Sequence, residues 1–151
     1  MCLIICAFQY HDDYPVVITA NRDEFFSRPT LQARFWLDSD PPLAILAGKD
    51  LTQGGTWLGV NPNGRFAAVT NIRSHQSNGS GDKSRGFLVR DFLSTSISAE
   101  EYAQTLVPDL DRFAGFNLLI GDSQSLCYLN NKDGVLEQLP PRSLWLIQWH
   151  T

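Results

Sequence analysis

Several features that mark particular protein classes are scarce or missing in this sequence of 151 residues. No apolar run approaches the roughly 20 residues that cross a bilayer, and no two basic residues are adjacent, which argues against a nucleic-acid footprint. The apolar N-terminus lacks basic residues, and Asp12 and Asp13 follow too early for a signal peptide. With 43% hydrophobic and 19% charged residues, the composition predicts an ordinary globular domain, or part of one, rather than a membrane, fibrous, disordered or secreted protein.

Cysteine is also scarce, because the chain has only Cys2, Cys6 and Cys127. An odd, low count in a chain without a signal peptide favours a reducing compartment, so we expect a cytoplasmic protein. Cys2 and Cys6 cannot form a disulfide within one strand, since four residues of strand separate their Cα atoms by roughly 13 Å and a disulfide needs less than about 7 Å. The three histidines are scattered and no Cys-x-x-Cys is present, so no metal site is predicted.

The apolar patterns that are present predict strands at both ends of the chain. Five strands are expected first, at 2–9, 16–20, 43–47, 56–60 and 66–72, and three more at the end, at 116–120, 126–129 and 135–139. The first strand is apolar at both parities, which indicates that something covers both of its faces.

Two helices are predicted between these runs of strands. Apolar residues from Phe87 to Leu93 recur at helical spacing, with Ser84 as a candidate N-cap. Ser98 and Glu101 fit a capping box, and Pro108 ends the second helix. A run of strands, then helices, then strands is typical of an α+β fold.

Cys2 is the sharpest chemical feature of the sequence. Removal of Met1 would leave a residue that carries both a thiol and a free α-amine. The amine has an ordinary pKa near 7.7–8.0, so it can accept the thiol proton, and nucleophile and base then belong to one residue. The alternative is that Cys2 is a small apolar residue that starts a strand.

Polar groups follow two of the predicted strands. Arg22 and Asp23 come directly after the second strand, which in a hairpin returns toward Cys2, so an Asp could hold the amine and an Arg could lower the thiol pKa. Asn71, at the end of another strand, has an amide suited to stabilising an oxyanion. The alternatives are a solvated Arg–Asp turn and an Asn that opens a loop.

The glycine-rich segment Gly54–Gly59 contains Trp57, whose ring offers a flat apolar surface to a ligand. Its glycines permit close approach of the backbone. The segment lacks the Gly-Lys-Ser/Thr of a phosphate-binding loop.

Together these segments resemble the NRDE family, the family of transport and Golgi organisation protein 2. The resemblance is carried in order by Met1–Ile4, Ala20–Phe25, Arg28–Thr30, Ala47–Leu51, Gly54–Val60, Gly64–Asn71, Ser84–Gly86 and Gly115–Leu119. The family is similar to the N-terminal-nucleophile (Ntn) hydrolases. The resemblance therefore implies a four-layer α-β-β-α sandwich, of which this chain would be the N-terminal part.

The resemblance also implies an activity, the hydrolysis of a non-peptide acyl-amide C–N bond. Cys2 is similar to the nucleophile, Arg22 and Asp23 to the pair on the second strand, and Asn71 to an oxyanion donor. The motif residues Asn21, Trp57 and Asn117 are expected to contact a small-molecule substrate, without a cofactor. Non-catalytic binding or trafficking of a hydrophobic metabolite such as haem is the alternative.

The last ten residues have no counterpart in the family motifs. We therefore expect a domain over 1–141 that is incomplete at its C-terminus, followed by an atypical tail over 142–151. A shift of one base in one allowed coding of the tail would give Gly-Leu-Tyr-Gly-Leu-Ser-Asn, with which family members continue, so a frameshift is our hypothesis. A truncated sandwich would expose sheet edges, which predicts impaired activity and self-association through those edges.

Overall fold

The computed structural model describes residues 2–37, 44–72 and 81–148. Strands come first in the chain: β1 (Leu3–Phe8), β2 (Val16–Asn21), β3 (Thr30–Phe35), β4 (Leu46–Asp50), β5 (Leu58–Val60) and β6 (Phe66–Asn71). Two helices follow, α1 (Gly86–Leu93) and α2 (Ala99–Leu106), with a 3₁₀ turn over Val107–Arg112. The chain then forms β7 (Phe116–Gly121), β8 (Leu126–Asn130), β9 (Val135–Gln138) and β10 (Ser143–Gln148). This order is the mixed, mostly sheet architecture that the patterning predicts.

The strands form two antiparallel sheets that face each other. The larger sheet has the order β3-β4-β5-β6-β7-β8-β9 and the smaller one β10-β1-β2. Ile4, Cys6 and Phe8 of β1 pack against Phe66 and Leu119 of the larger sheet. This contact forms an interlayer core between the sheets.

A second core lies on the other face of the larger sheet, under the helices. Strand residues alternate between the two cores: Ala67 and Val69 of β6 face the helices, whereas Phe66 and Ala68 face the smaller sheet. In α1 the buried stripe is Leu88, Val89, Phe92 and Leu93, which is the helical spacing that the sequence predicts.

The prediction that both faces of the first strand are covered is wrong. Ile5 is 39% exposed, and its neighbours across the smaller sheet, Leu146 and Thr19, share its outer face. The helices contact β5, β6, β7 and β8 of the larger sheet instead. The described residues thus form three layers, α-β-β, and the fourth layer that the resemblance implies stays a prediction.

Other local predictions differ from the structure in detail. The N-cap of α1 is Arg85 rather than Ser84, and no side chain caps it. Ser98 and Glu101 form the predicted capping box. The strand predicted at 43–47 is β4 and begins at Leu46, while β3 and β10 have no counterpart among the predicted strands. Residue 43 lies outside the described part of the chain.

The segment that we expected to be atypical is part of the smaller sheet. Ser143–Gln148 form β10 and pair with β1 over its whole length. Trp145 and Ile147 pack into the interlayer core, whereas Leu144 and Leu146 lie on the outer face, 61% and 62% exposed.

Candidate active site

A cavity of about 380 Å³ opens where the ends of β2, β4 and β6 meet the start of α1. Its wall includes Cys2, Arg22, Asp23, Trp57 and Asn71, which are five of the seven residues that the sequence suggested for a site. The antiparallel topology explains why these ends meet. In an antiparallel sheet every second strand runs in the same direction, so β4 and β6 end at the same edge of the larger sheet.

The register of β1 and β2 places Cys2 beside Asp23. Leu3 pairs with Asn21, so the residues just beyond that pair are neighbours as well. The backbone N–H of Asp23 donates to Cys2 Sγ at 3.3 Å, and the thiol lies 3.7 Å from the Asp23 carbonyl oxygen, which accepts from it. The N–H directed at the sulfur favours the thiolate, whereas the carbonyl oxygen that accepts from the S–H favours the thiol. The sequence pointed to the carboxylate of Asp23, whereas this contact comes from its backbone.

Arg22 and Asn71 line the same cavity from different strands. The Arg22 guanidinium lies 3.7 Å from the Glu24 carboxylate, and its side chain is one-quarter exposed. Asn71 ends β6 on the side that faces the helices, two residues after Val69. The wall of one cavity therefore contains a cation, an amide and a thiol.

Two glycines let the backbone close one wall of the cavity. A Cβ on Gly55 would meet the carbonyl carbon of Gly86 at 2.6 Å, so the segment before β5 lies directly against the start of α1. The N–H of Thr56 donates to the Gly86 carbonyl at 3.2 Å. Trp57, next in sequence, packs against both cores. These contacts explain why two separate glycine-containing motifs belong to one site.

Asn21 and Asn117 are not among the residues that line the cavity. Asn21 ends β2 opposite Leu3 and is exposed. Asn117 is buried: it donates to Thr70 Oγ1 at 3.1 Å and accepts from Tyr128 at 2.7 Å and from Asn130 at 3.0 Å. Its polar atoms are used in a network inside the protein, and a substrate contact through either residue stays a prediction.

The sequence reasoning missed an ion pair in the cavity wall. Arg28 donates to the Asp50 carboxylate at 2.8 Å and 2.5 Å. Burial alone would raise the pKa of Asp50, but the hydrogen bond and charge of Arg28, with the N–H groups of Thr52 and Gln53, hold that pKa below its ordinary value. Both residues belong to segments that carry the family resemblance, which could have marked them as site residues. That they pair with each other depends on the contact between the loop before β3 and the end of β4, which the sequence does not show.

The other two cysteines lie away from the cavity. Cys6 is fully buried, and burial raises its thiol pKa to about 11. Cys127 is buried in the core under the helices, and burial likewise raises its pKa, with a smaller contribution from Glu100. Thiols in such surroundings are poor nucleophiles at neutral pH, which leaves Cys2 as the cysteine placed for chemistry.

Within the described ranges, no cluster of three or more His, Cys, Asp or Glu side chains could hold a metal ion. None of the helices in the same ranges combines the length and the hydropathy that crossing a membrane requires.

The arrangement of Cys2, its hairpin and the glycine-lined cavity agrees with a comparison of the whole sequence. Residues 1–150 match the family model described as transport and Golgi organisation 2. The chain belongs to this family. It is 33% identical over 141 residues to the human transport and Golgi organization protein 2 homolog, an alignment that covers 87% of this chain and 51% of the relative. The Drosophila melanogaster protein of that name is 30% identical over 115 residues, with 70% and 39% covered.

The fold is similar to that of an Ntn hydrolase. Penicillin V acylase from Agrobacterium tumefaciens superposes with a TM-score of 0.50 at 14% identity, over 93% of this chain and 50% of the acylase. This likeness concerns the fold alone. The chain spans about half the length of the human relative and of the acylase.

Proposed function

We propose that this chain belongs to a cysteine amidase of the Ntn type, which hydrolyses a non-peptide acyl-amide bond. The observation that carries the proposal is the position of Cys2, whose sulfur lies on the cavity wall 3.3 Å from the Asp23 amide nitrogen. The fold likeness to an Ntn hydrolase supports it independently. Because the chain spans about half of the human relative, activity of this chain alone is expected to be impaired.

The reaction would use the chain's own groups. After removal of Met1, the α-amine of Cys2 accepts the thiol proton, and the sulfur attacks the amide carbonyl carbon, forming a C–S bond. Asn71 stabilises the oxyanion, while Arg22 and Asp23 position the nucleophile and the amine. The C–N bond then breaks, the amine leaves with the proton, and water hydrolyses the thioester to release the acid and regenerate the thiol.

Comparison of two cysteine variants tests this function. A panel of N-acyl amides is incubated with a full-length version of the protein, with its Cys2→Ala variant and with its Cys127→Ala variant, which removes a thiol that is buried under the helices and is not part of the cavity wall. We expect turnover to be abolished in Cys2→Ala and kept in Cys127→Ala, and N-terminal mass spectrometry should show Cys2 as the first residue of the active protein. Unchanged turnover in Cys2→Ala, or activity with Met1 retained, would reject the role.

A second candidate function, binding of a hydrophobic metabolite such as haem, has its own observation. Phe25 and Phe26 are 72% and 109% exposed in a turn between two cavity residues, Glu24 and Arg28. Exposed aromatic rings close in sequence to the cavity residues suit an apolar ligand, and the Cys2 sulfur in the cavity wall suits a metal that the ligand carries. Haem titration should then shift the absorbance, and Cys2→Ala should abolish that shift. Haem binding without amide turnover would favour this candidate over the amidase.

The cellular setting is proposed on similar grounds. All three cysteines are free, which fits a reducing compartment such as the cytoplasm. The smaller sheet presents β2 and β10 as edge strands, and open edges favour self-association. Light scattering across a concentration series would measure that association.

A further inference from the structure

The wall of the cavity carries a charge opposite to that of the whole chain. Its described residues include five basic side chains, Arg22, Arg28, Lys49, Lys83 and Arg85, and three acidic ones, Asp23, Glu24 and Asp50. The chain as a whole has a net charge of −4. A concave site with an excess of positive charge attracts anionic ligands.

Four of these five basic side chains interact with other groups of the protein itself. Arg28 pairs with Asp50 at 2.5 Å, and Arg22 lies 3.7 Å from Glu24. Lys83 pairs at 2.5 Å with Asp109, which lies outside the wall. The guanidinium of Arg85 donates to the Gly115 carbonyl oxygen at 2.9 Å. These contacts fix the side chains in place and satisfy part of their hydrogen-bonding capacity.

Lys49 differs from the other four. Its side chain is half-buried at the end of β4, and its ammonium lies 5.1 Å from the centre of the Trp36 ring. Within the described residues no carboxylate pairs with it. The ring itself is fixed, because Trp36 is buried and its Nε1 donates to the Ala47 carbonyl oxygen at 3.0 Å. An aromatic face attracts a cation but accepts none of its N–H bonds as a carboxylate would.

We infer that Lys49 is a specificity-determining residue that binds an anionic oxygen group of the ligand, so that the substrate is an acyl amide carrying a carboxylate. This inference rests on the proposed amidase function for the identity of the reacting bond. A half-buried ammonium with free donors is stabilised by an anion. One ammonium matches a singly charged carboxylate, and it holds the ligand at a distance from Cys2 without taking part in bond breaking.

Binding to Cys2→Ala protein tests the inference without turnover. The probes are N-acylglycines, with the carboxylate on the amine side, and monoamides of dicarboxylic acids, with the carboxylate on the acyl side. Each acid is compared by calorimetry with its neutral primary-amide counterpart. A hydrogen bond to a charged group corresponds to roughly tenfold or more in affinity, so we expect an acid of one of the two series to bind about tenfold tighter than its neutral counterpart, less so at high salt.

Two lysine variants of the Cys2→Ala protein test whether Lys49 causes the preference for the acid over the neutral compound. Lys49→Gln should bind acid and neutral compound equally while keeping the affinity for the neutral compound. Lys132→Gln removes the same charge from an exposed position outside the wall and should keep the preference. Equal binding of acid and neutral probes by the parent protein, no binding of either series, or an unchanged preference in Lys49→Gln would overturn the inference. Absence of amide turnover with an intact acid preference would reject the amidase and leave the role of Lys49 standing.

Discussion

The two sheets of this protein differ in how completely their faces are covered. The inner strands β6, β7 and β8 of the larger sheet are covered by the helices on one face and by the smaller sheet on the other, and β7 is buried along its whole length. Among the described residues, the smaller sheet is covered on its inner face only, and its outer face exposes Ile5, Val17, Leu144 and Leu146. A sheet covered on both faces supplies stability, whereas the end of the half-covered sheet positions Cys2 at an open cavity.

The largest expected effect is a loss of stability on substitution in the core between the larger sheet and the helices. Phe92 is fully buried in α1 and contacts the Tyr102 ring edge-on at 5.3 Å between centroids. Phe92→Ala should lower the free energy of unfolding by about 3–5 kcal/mol. Leu146→Ala, on the outer face of β10, should lower it by less than about 1 kcal/mol. Urea denaturation of both variants measures the difference, and equal losses would mean that the outer face is buried in solution.

A smaller effect is expected where the covered sheet meets the cavity, at the Arg28–Asp50 pair. Their side chains are 30% and 17% exposed, so Asp50→Asn should cost about 1–2 kcal/mol at neutral pH. The pKa of Asp50 is held below its ordinary value, near 3.9 in peptides. The stabilisation is therefore present above that ordinary pKa and is lost as the pH falls through the folded-state value.

Denaturation at several pH values measures this dependence. The difference between the protein and Asp50→Asn should shrink from pH 7 toward pH 3. Asp133→Asn, at an exposed turn position that Asn also suits, is the matched control and should show little difference at any pH. A difference between the protein and Asp50→Asn that does not change with pH would contradict the ionic origin of the stabilisation.

Local patterns predicted most of the elements but not the coverage of their faces. The capping box at Ser98 and the buried stripe of α1 depend on residues close in sequence, and both are seen. The strand β3 was missed although its apolar residues Leu31, Ala33 and Phe35 alternate with polar ones. It is an edge strand whose side chains are mostly exposed. Ile5 is apolar yet exposed, and no local pattern distinguishes an apolar face that is covered from one that is not.

The candidate site was predictable to the extent that one hairpin positions it. Cys2 and Asp23 are neighbours through the register of β1 and β2, which the hairpin pattern already indicates. The roles of Lys49 and Asn117 depend on contacts between distant segments. Lys49 lies over Trp36, and Asn117 bonds Thr70, Tyr128 and Asn130. Sequence spacing alone does not reveal whether a polar side chain faces a cavity or an internal network.

Cysteine labelling is the most direct test of the central claim. The claim is that the reactive thiol, Cys2, lies at the end of the smaller sheet that meets the cavity. Cys2 lines the cavity just before β1, whereas Cys6 is buried within β1, where burial raises its thiol pKa to about 11. The folded protein is treated with iodoacetamide at pH 8, and the rate at each cysteine is followed by peptide mass spectrometry. We predict that Cys2 is alkylated at least about a hundredfold faster than Cys6 and Cys127. Labelling of either buried cysteine as fast as Cys2 would contradict the account.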